Sequence, residues 1–369
     1  MTISLKTILR GQFSWATWSC PYSMKHQDKQ SMYSNEDIQS AVNAGIITSQ
    51  TAYALRKHIE SRQKASAVDE EHFRLITGFN DIFVVIASLL LLVSTEIIVG
   101  KLHDSLGLLA SAAMAWGLSE YFIRKRCMAL PAIILSLAFV ISVGLSSVYL
   151  VQNLSIRLFS ISLLMSLAAW CHWRRFHVPI TVAAGTGAVA CGFLYTLWLE
   201  FPEIQNNIPL FSMLIFLIGL LVFSLAMYWD ALDIQRQTRR TDVAFWLHLL
   251  AAPLLVHPVF IMIGVTSGEL GLLQMVLVLI IYILIALLSL TIDRRALMVS
   301  ALGYVLYVFT SLLNKTAVEF TKSFAVVAFV LGAALLLLSV FWHQSRRWVL
   351  CLLPSSVARY IPPCKRKWP

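Results

Sequence analysis

The chain of 369 residues is 58% hydrophobic and only 13% charged, and its mean hydropathy of +0.75 excludes an ordinary water-soluble domain. Its formal net charge of +10 comes from arginines and lysines that lie mainly between apolar stretches, so we predict contact with anionic lipid headgroups and no nucleic-acid partner. The expected fold class is all-α, a polytopic transmembrane bundle, because long continuous apolar stretches satisfy their backbone polar groups in hydrocarbon as helices.

The first 81 residues contain no stretch that would span a membrane. Residues 1–33 lack periodicity, and we expect them to be disordered or to precede the true start of translation. Residues 65–81 are predicted to be a juxtamembrane connector.

Residues 34–64 predict a small cytoplasmic helical hairpin. Ser34 caps its first helix, Gly45 ends that helix, and Thr48 or Ser49 caps the second. A hairpin of this size cannot bury a core by itself, so we expect it to dock on the membrane domain or on a cytoplasmic protein partner.

The transmembrane domain is predicted over residues 82–342 and contains ten apolar stretches. A helix of about 20 residues crosses roughly 30 Å of hydrocarbon, and each stretch is close to that length. The predicted spans are 82–100, 106–123, 128–148, 155–173, 178–199, 208–228, 243–265, 269–290, 297–313 and 319–342.

Basic residues are concentrated in alternate loops of this domain. The loops after the even-numbered stretches carry ten of them: Arg124, Lys125, Arg126, Arg174, Arg175, Arg236, Arg239, Arg240, Arg294 and Arg295. The loops after the odd-numbered stretches carry four: Lys101, Arg157, Lys315 and Lys322. By the positive-inside rule, both termini are predicted to be cytoplasmic. Residues 343–369 form a basic cytoplasmic tail in which Trp348, Leu350, Leu352 and Leu353 predict a short interfacial helix.

The seventh stretch contains the most unusual polar residues. His248, Pro253, His257 and Pro258 lie within eleven consecutive residues of one predicted span, and each proline frees a backbone carbonyl and favours a bend. The two histidines are nine residues apart, which places them on opposite faces of a helix, so they cannot hold one metal together. Two interpretations stay open for them: hydrogen-bonded interior histidines, or residues that bind a ligand or move a proton.

Charged residues inside the predicted spans are few. Glu96 lies about one turn from the outer end of the first span, where it either reaches the interface or pairs with Lys101 or Arg157, and it is the third candidate functional residue with the two histidines. Glu120 should pair with Arg124 at i, i+4.

Small residues spaced four apart predict two close helix-packing seams. The first is Gly107, Ser111, Ala115 and Ser119; the second comprises Ala183, Gly187 and Cys191 with Ala184, Ala188 and Gly192 beside them. The sequence shows no nucleophile elbow, phosphate loop, dinucleotide fingerprint or zinc spacing, so we predict no catalytic, cofactor or metal residues.

Residues 41–55 (AVNAGIITSQTAYAL), followed by 69–74 (DEEHFR) and 77–81 (TGFND), resemble the front of a family of uncharacterised bacterial polytopic membrane proteins, a domain of unknown function. In that family a short cytoplasmic helical hairpin with a Gly-Ile-x-(Ser/Thr)-x-x-x-Ala turn precedes many apolar helices. The resemblance implies a multi-pass protein of the bacterial cytoplasmic (inner) membrane and implies no activity.

Three functions fit this sequence. The first is a transporter-like or small-molecule-handling bundle, with the seventh helix bent around a cavity that reaches His248 or His257. The alternative is a non-transporting scaffold or sensor whose hairpin recruits a partner, and the scarcity of intramembrane carboxylates favours it over an ion-coupled pump. The third is an intramembrane enzyme that acts on lipid.

Overall fold

The computed structural model describes residues 35–55, 79–149, 151–233, 238–265, 271–314 and 320–351. Every regular element in these ranges is helical, which agrees with the all-α prediction. The helices are α1 (Asn35–Asn43), α2 (Phe79–Gly100), α3 (Asp104–Phe122), α4 (Ala129–Leu145), α5 (Leu154–Phe176), α6 (Ile180–Glu200), α7 (Ile208–Ala231), α8 (Arg239–Met262), α9 (Leu272–Ile292), α10 (Ala296–Asn314), α11 (Phe320–Val340) and α12 (Trp342–Cys351), with a 3-10 turn at Ser146–Tyr149 and one helical turn at Pro202–Gln205.

Seven of the described helices are long and apolar enough to cross a membrane, namely α2 and α4 to α9. Residues 325–340 of α11 meet this criterion of length and hydropathy only when they are taken together with α12. The chain bends by 74° between the two helices. In α10 the apolar part is shorter, Leu297–Thr310. The chain is therefore a multi-pass membrane protein, while ten crossings stay a prediction.

The long helices begin and end at residues suited to caps. The side chains of Asn153, Asn207 and Thr238 accept hydrogen bonds from backbone N–H groups in the first turns of α5, α7 and α8. His177 and Asp293 follow α5 and α9 in the left-handed conformation, with φ of 53° and 64°. That conformation turns the chain sharply at a helix C-terminus, so α6 and α10 follow closely.

Helices α7 and α8 pack closely along their length. A Cβ added at Gly219 of α7 would lie 2.9 Å from the carbonyl carbon and oxygen of Leu254 in α8. Because a proline has no N–H, Pro258 leaves the carbonyl of Leu254 without its usual helical donor. The prolines of α8 therefore lie in a continuous helix whose released carbonyl packs against a glycine of its neighbour.

The predicted small-residue seams are found in α3 and α6. Gly107, Ser111, Ala115 and Ser119 are all buried in α3, as predicted. In α6, Ala183, Ala188 and Gly192 are buried, but Cys191 is exposed. The contact face of α6 thus includes parts of both predicted rows rather than one of them.

The described part of the N-terminal segment is helical on both sides of Gly45. Helix α1 ends before Gly45, which has φ of 70°, and residues 49–55 are helical. The hydroxyl of Thr48 accepts a hydrogen bond from the N–H of Thr51 at 3.2 Å, which is the predicted cap. Docking of this segment stays a prediction, and residues 1–33, most of the connector and the tail from 352 onwards lie outside the described residues.

Candidate functional site

The structure brings the arginine-rich segments after α3, α5, α7, α9 and α11 together, and we call this region the basic end. Glu120 at the end of α3 forms the predicted ion pair with Arg124 at 2.8 Å. The same carboxylate accepts from Arg175 at the end of α5, at 2.7 Å. The second contact joins the first two basic segments, and both partners are partly exposed to solvent.

The second and third basic segments meet at His177. Arg239 of α8 donates to the backbone carbonyl of His177 at 3.3 Å. Burial, followed by the nearby positive charges of Arg239 and Arg174, lowers the pKa of His177 below its ordinary value of 6.5. The imidazole therefore favours its neutral form in a region rich in arginine.

The most buried ion pair of the basic end joins α7 to the α9–α10 turn. Asp230, 6% exposed, accepts two hydrogen bonds from Arg294, which is 2% exposed, at 2.6 and 3.3 Å. Arg294 also donates to the backbone carbonyl of Thr241 at 3.2 Å, and its own carbonyl accepts from the hydroxyl of Ser289. A bidentate pair with these additional partners fixes the relative positions of three helix ends.

His248 lies directly beside this ion pair and is fully buried. Its Nδ1 is 3.0 Å from the backbone oxygen of Ala244, and since a carbonyl oxygen only accepts, Nδ1 carries the hydrogen. Its Nε2 is 3.7 Å from the Oδ2 of Asp230, and the ring packs against Phe223 with centroids 5.4 Å apart. His248 is thus an interior, hydrogen-bonded histidine in contact with a buried carboxylate.

The last basic segment is attached through Asp293. The indole Nε1 of Trp342 donates to Asp293 at 2.8 Å, and the guanidinium of Arg346 lies 3.6 Å from the other carboxylate oxygen. Arg346 also donates to the carbonyl of Leu290 at 3.2 Å. Trp342 and Arg346 are both buried, so α12 is held on the bundle by its first two turns.

The other two predicted candidates lie away from this cluster. His257 is exposed, and its Nδ1 forms a hydrogen bond with the hydroxyl of Tyr304, whose ring stacks on Phe260 with centroids 4.4 Å apart. Glu96 is half-buried beside an open depression of about 380 Å³ that also touches Lys101, and no described residue forms an ion pair with it. The structure therefore does not bring His248, His257 and Glu96 together, and it separates the two histidines as their spacing predicts.

Three depressions lined by described residues contain neither His248 nor His257 in their walls. Besides the one at Glu96, a depression of about 210 Å³ lies between His177 and Arg239, and a groove of about 200 Å³ runs between α10 and α11. The described residues also contain no cluster of three or more His, Cys, Asp or Glu side chains able to hold a metal ion.

No sequence pattern marks Asp230, Asp293 or Arg346 as members of a site. Arg294 stands out in the sequence only as one of several charges that set the topology. The available signal was the presence of aspartates at helix ends in a chain with few acidic residues, next to arginines that the positive-inside rule already explains. The sequence does not mark His172 either: it is fully buried among the rings of Trp116 and Phe176, and neither ring nitrogen has a hydrogen-bond partner among the described residues.

Comparisons of the chain with protein-family models, curated proteins and solved structures give no match. The resemblance of residues 41–55 to the bacterial membrane family therefore stays a prediction.

Proposed function

We propose that this protein is a non-transporting scaffold or sensor of the bacterial inner membrane, with ten membrane crossings and both termini in the cytoplasm. One observation carries the proposal: His248 and its α8 neighbours Leu247, Ala251 and Ala252 are fully buried, and the Asp230–Arg294 pair lies against His248. A transport path along α8 needs polar, hydrated space at that point.

The contacts of the basic end support a rigid cytoplasmic face. Each basic segment is joined to the next by an ion pair or a hydrogen bond, from Glu120–Arg175 to Asp293–Arg346. By the positive-inside rule this face is cytoplasmic, on the side where the N-terminal segment emerges.

The N-terminal segment offers a surface for a cytoplasmic protein partner. Ile46 and Tyr53 are 76% and 68% exposed, although both are large and apolar. An exposed apolar surface on a small helical unit favours binding to another protein. A photo-reactive amino acid at Tyr53 should yield a defined crosslinked product in cells, and Ile46→Ser should reduce its yield. An unchanged yield would exclude this surface.

Cysteine accessibility distinguishes the scaffold or sensor from a transporter-like bundle. In a variant whose six native cysteines are replaced, Ala251→Cys places a thiol at a fully buried position of α8, while Glu203→Cys places one at an exposed position of the helical turn between α6 and α7. A water-soluble thiol reagent should label position 203 and leave position 251 unlabelled when applied from both sides of the membrane. Labelling at position 251 would show a hydrated cavity and favour the transporter-like alternative.

A further inference from the structure

A narrow groove of about 200 Å³ lies between α10 and α11 and ends at the basic end. Met298 and Leu302 of α10 form one wall, and Leu335 and Leu338 of α11 form the other. Val299 at its rim is 65% exposed, so the groove opens on the outer surface of the bundle. In a multi-pass membrane protein, an apolar groove on that surface faces lipid chains.

A cation with a fixed position closes one end of this groove. The guanidinium carbon of Arg295 lies 4.8 Å from the centre of the Trp342 ring, within the range of a cation–π interaction. Trp342 is 1% exposed and is itself held by its hydrogen bond to Asp293. Arg295 therefore has a rigid platform beneath it at the point where the apolar walls end.

The bend after α11 places this cation near the surface of the membrane. The chain turns by 74° between α11 and α12, so α12 runs across the end of the groove rather than continuing along it. Arg347 and Trp348 are exposed on α12 while Trp342 and Arg346 are buried, which is the pattern of an interfacial amphipathic helix. The groove itself then extends to the depth of the acyl chains.

We propose that this groove is a binding site for an anionic phospholipid, with an acyl chain between α10 and α11 and the headgroup phosphate on Arg295. A guanidinium binds phosphate oxygens through two parallel hydrogen bonds, and such charge-assisted bonds are among the strongest in proteins. The trimethylammonium group of phosphatidylcholine would bring a second positive charge close to Arg295, so an anionic phospholipid is favoured over phosphatidylcholine. This lipid site requires only that α10 and α11 lie in the membrane. It does not depend on the proposed scaffold or sensor function.

The test measures the thermal unfolding midpoint of the full-length protein in detergent as phosphatidylglycerol, phosphatidylcholine or inorganic phosphate is added. Phosphatidylglycerol should raise the midpoint of the wild type, and the other two should not. Arg295→Gln should need about tenfold more phosphatidylglycerol for half of the effect, since it loses hydrogen bonds to a charged partner. Val299→Trp, which fills the rim and keeps Arg295, should have a similar effect.

Two control variants show whether the effect belongs to the groove. Arg347→Gln removes an exposed arginine of α12, and Val340→Trp adds a ring at a position that is 75% exposed and outside the groove. Both should respond to phosphatidylglycerol as the wild type does. An equal response to phosphatidylcholine, an equal loss in Arg347→Gln, or a full effect of inorganic phosphate alone would each overturn the proposal. If Arg295→Gln fails to fold, Val299→Trp decides the outcome.

Discussion

The Asp230–Arg294 pair should be the most sensitive polar contact of the molecule. Asp230→Asn keeps the size of the side chain but leaves the Arg294 guanidinium buried without its counter-charge. Removing one partner of a buried pair costs about 3–5 kcal/mol, because the remaining charge has lost its water and its partner. We expect a marked fall in the thermal unfolding midpoint of the purified protein.

Glu120 provides the matched control for that substitution. Its side chain is 32% exposed, and it pairs with two arginines that are also partly exposed. Pairs in contact with water contribute about 0–1 kcal/mol, so Glu120→Gln should lower the midpoint much less. Equal effects of the two substitutions would contradict the central position given to Asp230.

His177 should make the stability of the protein fall in mild acid. Burial and the charges of Arg239 and Arg174 lower the pKa of the folded imidazole, so the unfolded chain takes up this proton at a higher pH. Stability is then complete above the ordinary pKa of 6.5 and is lost as the pH falls through 6.5 toward the lower pKa of the folded state.

The variant His177→Asn isolates this contribution from those of the other histidines. Asparagine tolerates the left-handed backbone at this position, and the carbonyl that accepts from Arg239 remains. Between about pH 7.5 and 5.5, the thermal unfolding midpoint of the wild type should fall by more than that of the variant. Parallel losses would show that His177 does not contribute.

At the scale of the helices, the contact of Gly219 with the backbone of α8 gives a substitution of defined sign. Gly219→Ala places a methyl group against the backbone of Leu254, which cannot move aside as a flexible side chain would. Overpacking of this kind costs about 1–3 kcal/mol. Gly303→Ala in α10 meets no atom within 4 Å and should instead gain up to about 1 kcal/mol of helix propensity. Unfolding midpoints that move in the same direction for both variants would contradict this assignment.

The positions of the helices follow from the sequence because hydropathy is a local property, and the ten predicted stretches coincide closely with α2 to α11. The basic end does not follow from it, because Asp230 and Arg294 are 64 residues apart and Asp293 and Trp342 are 49 apart. Arginines at the helix ends have two physical roles. They set the orientation of the helices in the membrane, and some of them also form buried ion pairs. An arginine that fixes orientation cannot be distinguished by sequence from one that also forms a buried ion pair.

The break between α11 and α12 was anticipated only in part. The aromatic and basic residues around Trp348 predict an interfacial helix, and the structure begins that helix at Trp342. What holds it in place is the contact of Trp342 and Arg346 with Asp293, which no local pattern reveals.

At the scale of the whole molecule, the joined basic segments require that helices alternate in direction across the membrane. Lys101 lies between α2 and α3, whereas Lys125 follows α3 within the basic end. These two positions are on opposite sides of the membrane only if α3 crosses it, although α3 is not among the seven helices that meet the length and hydropathy criterion. Whether α3 crosses the membrane therefore decides whether the predicted topology, with ten crossings and both termini on the same side, is correct.

Single cysteines at these positions, in a variant without native cysteines, test that orientation. With a membrane-impermeant maleimide applied to intact cells, Lys101→Cys should be labelled and Lys125→Cys should be labelled only after permeabilisation, because the positive-inside rule predicts that the basic segments stay on the cytoplasmic side. Glu203→Cys and Arg240→Cys, which lie before and after α7, serve as the matched pair for that helix, and they should behave like Lys101→Cys and Lys125→Cys respectively. Labelling of both Lys101→Cys and Lys125→Cys in intact cells would mean that α3 does not cross, and would reduce the number of crossings below ten.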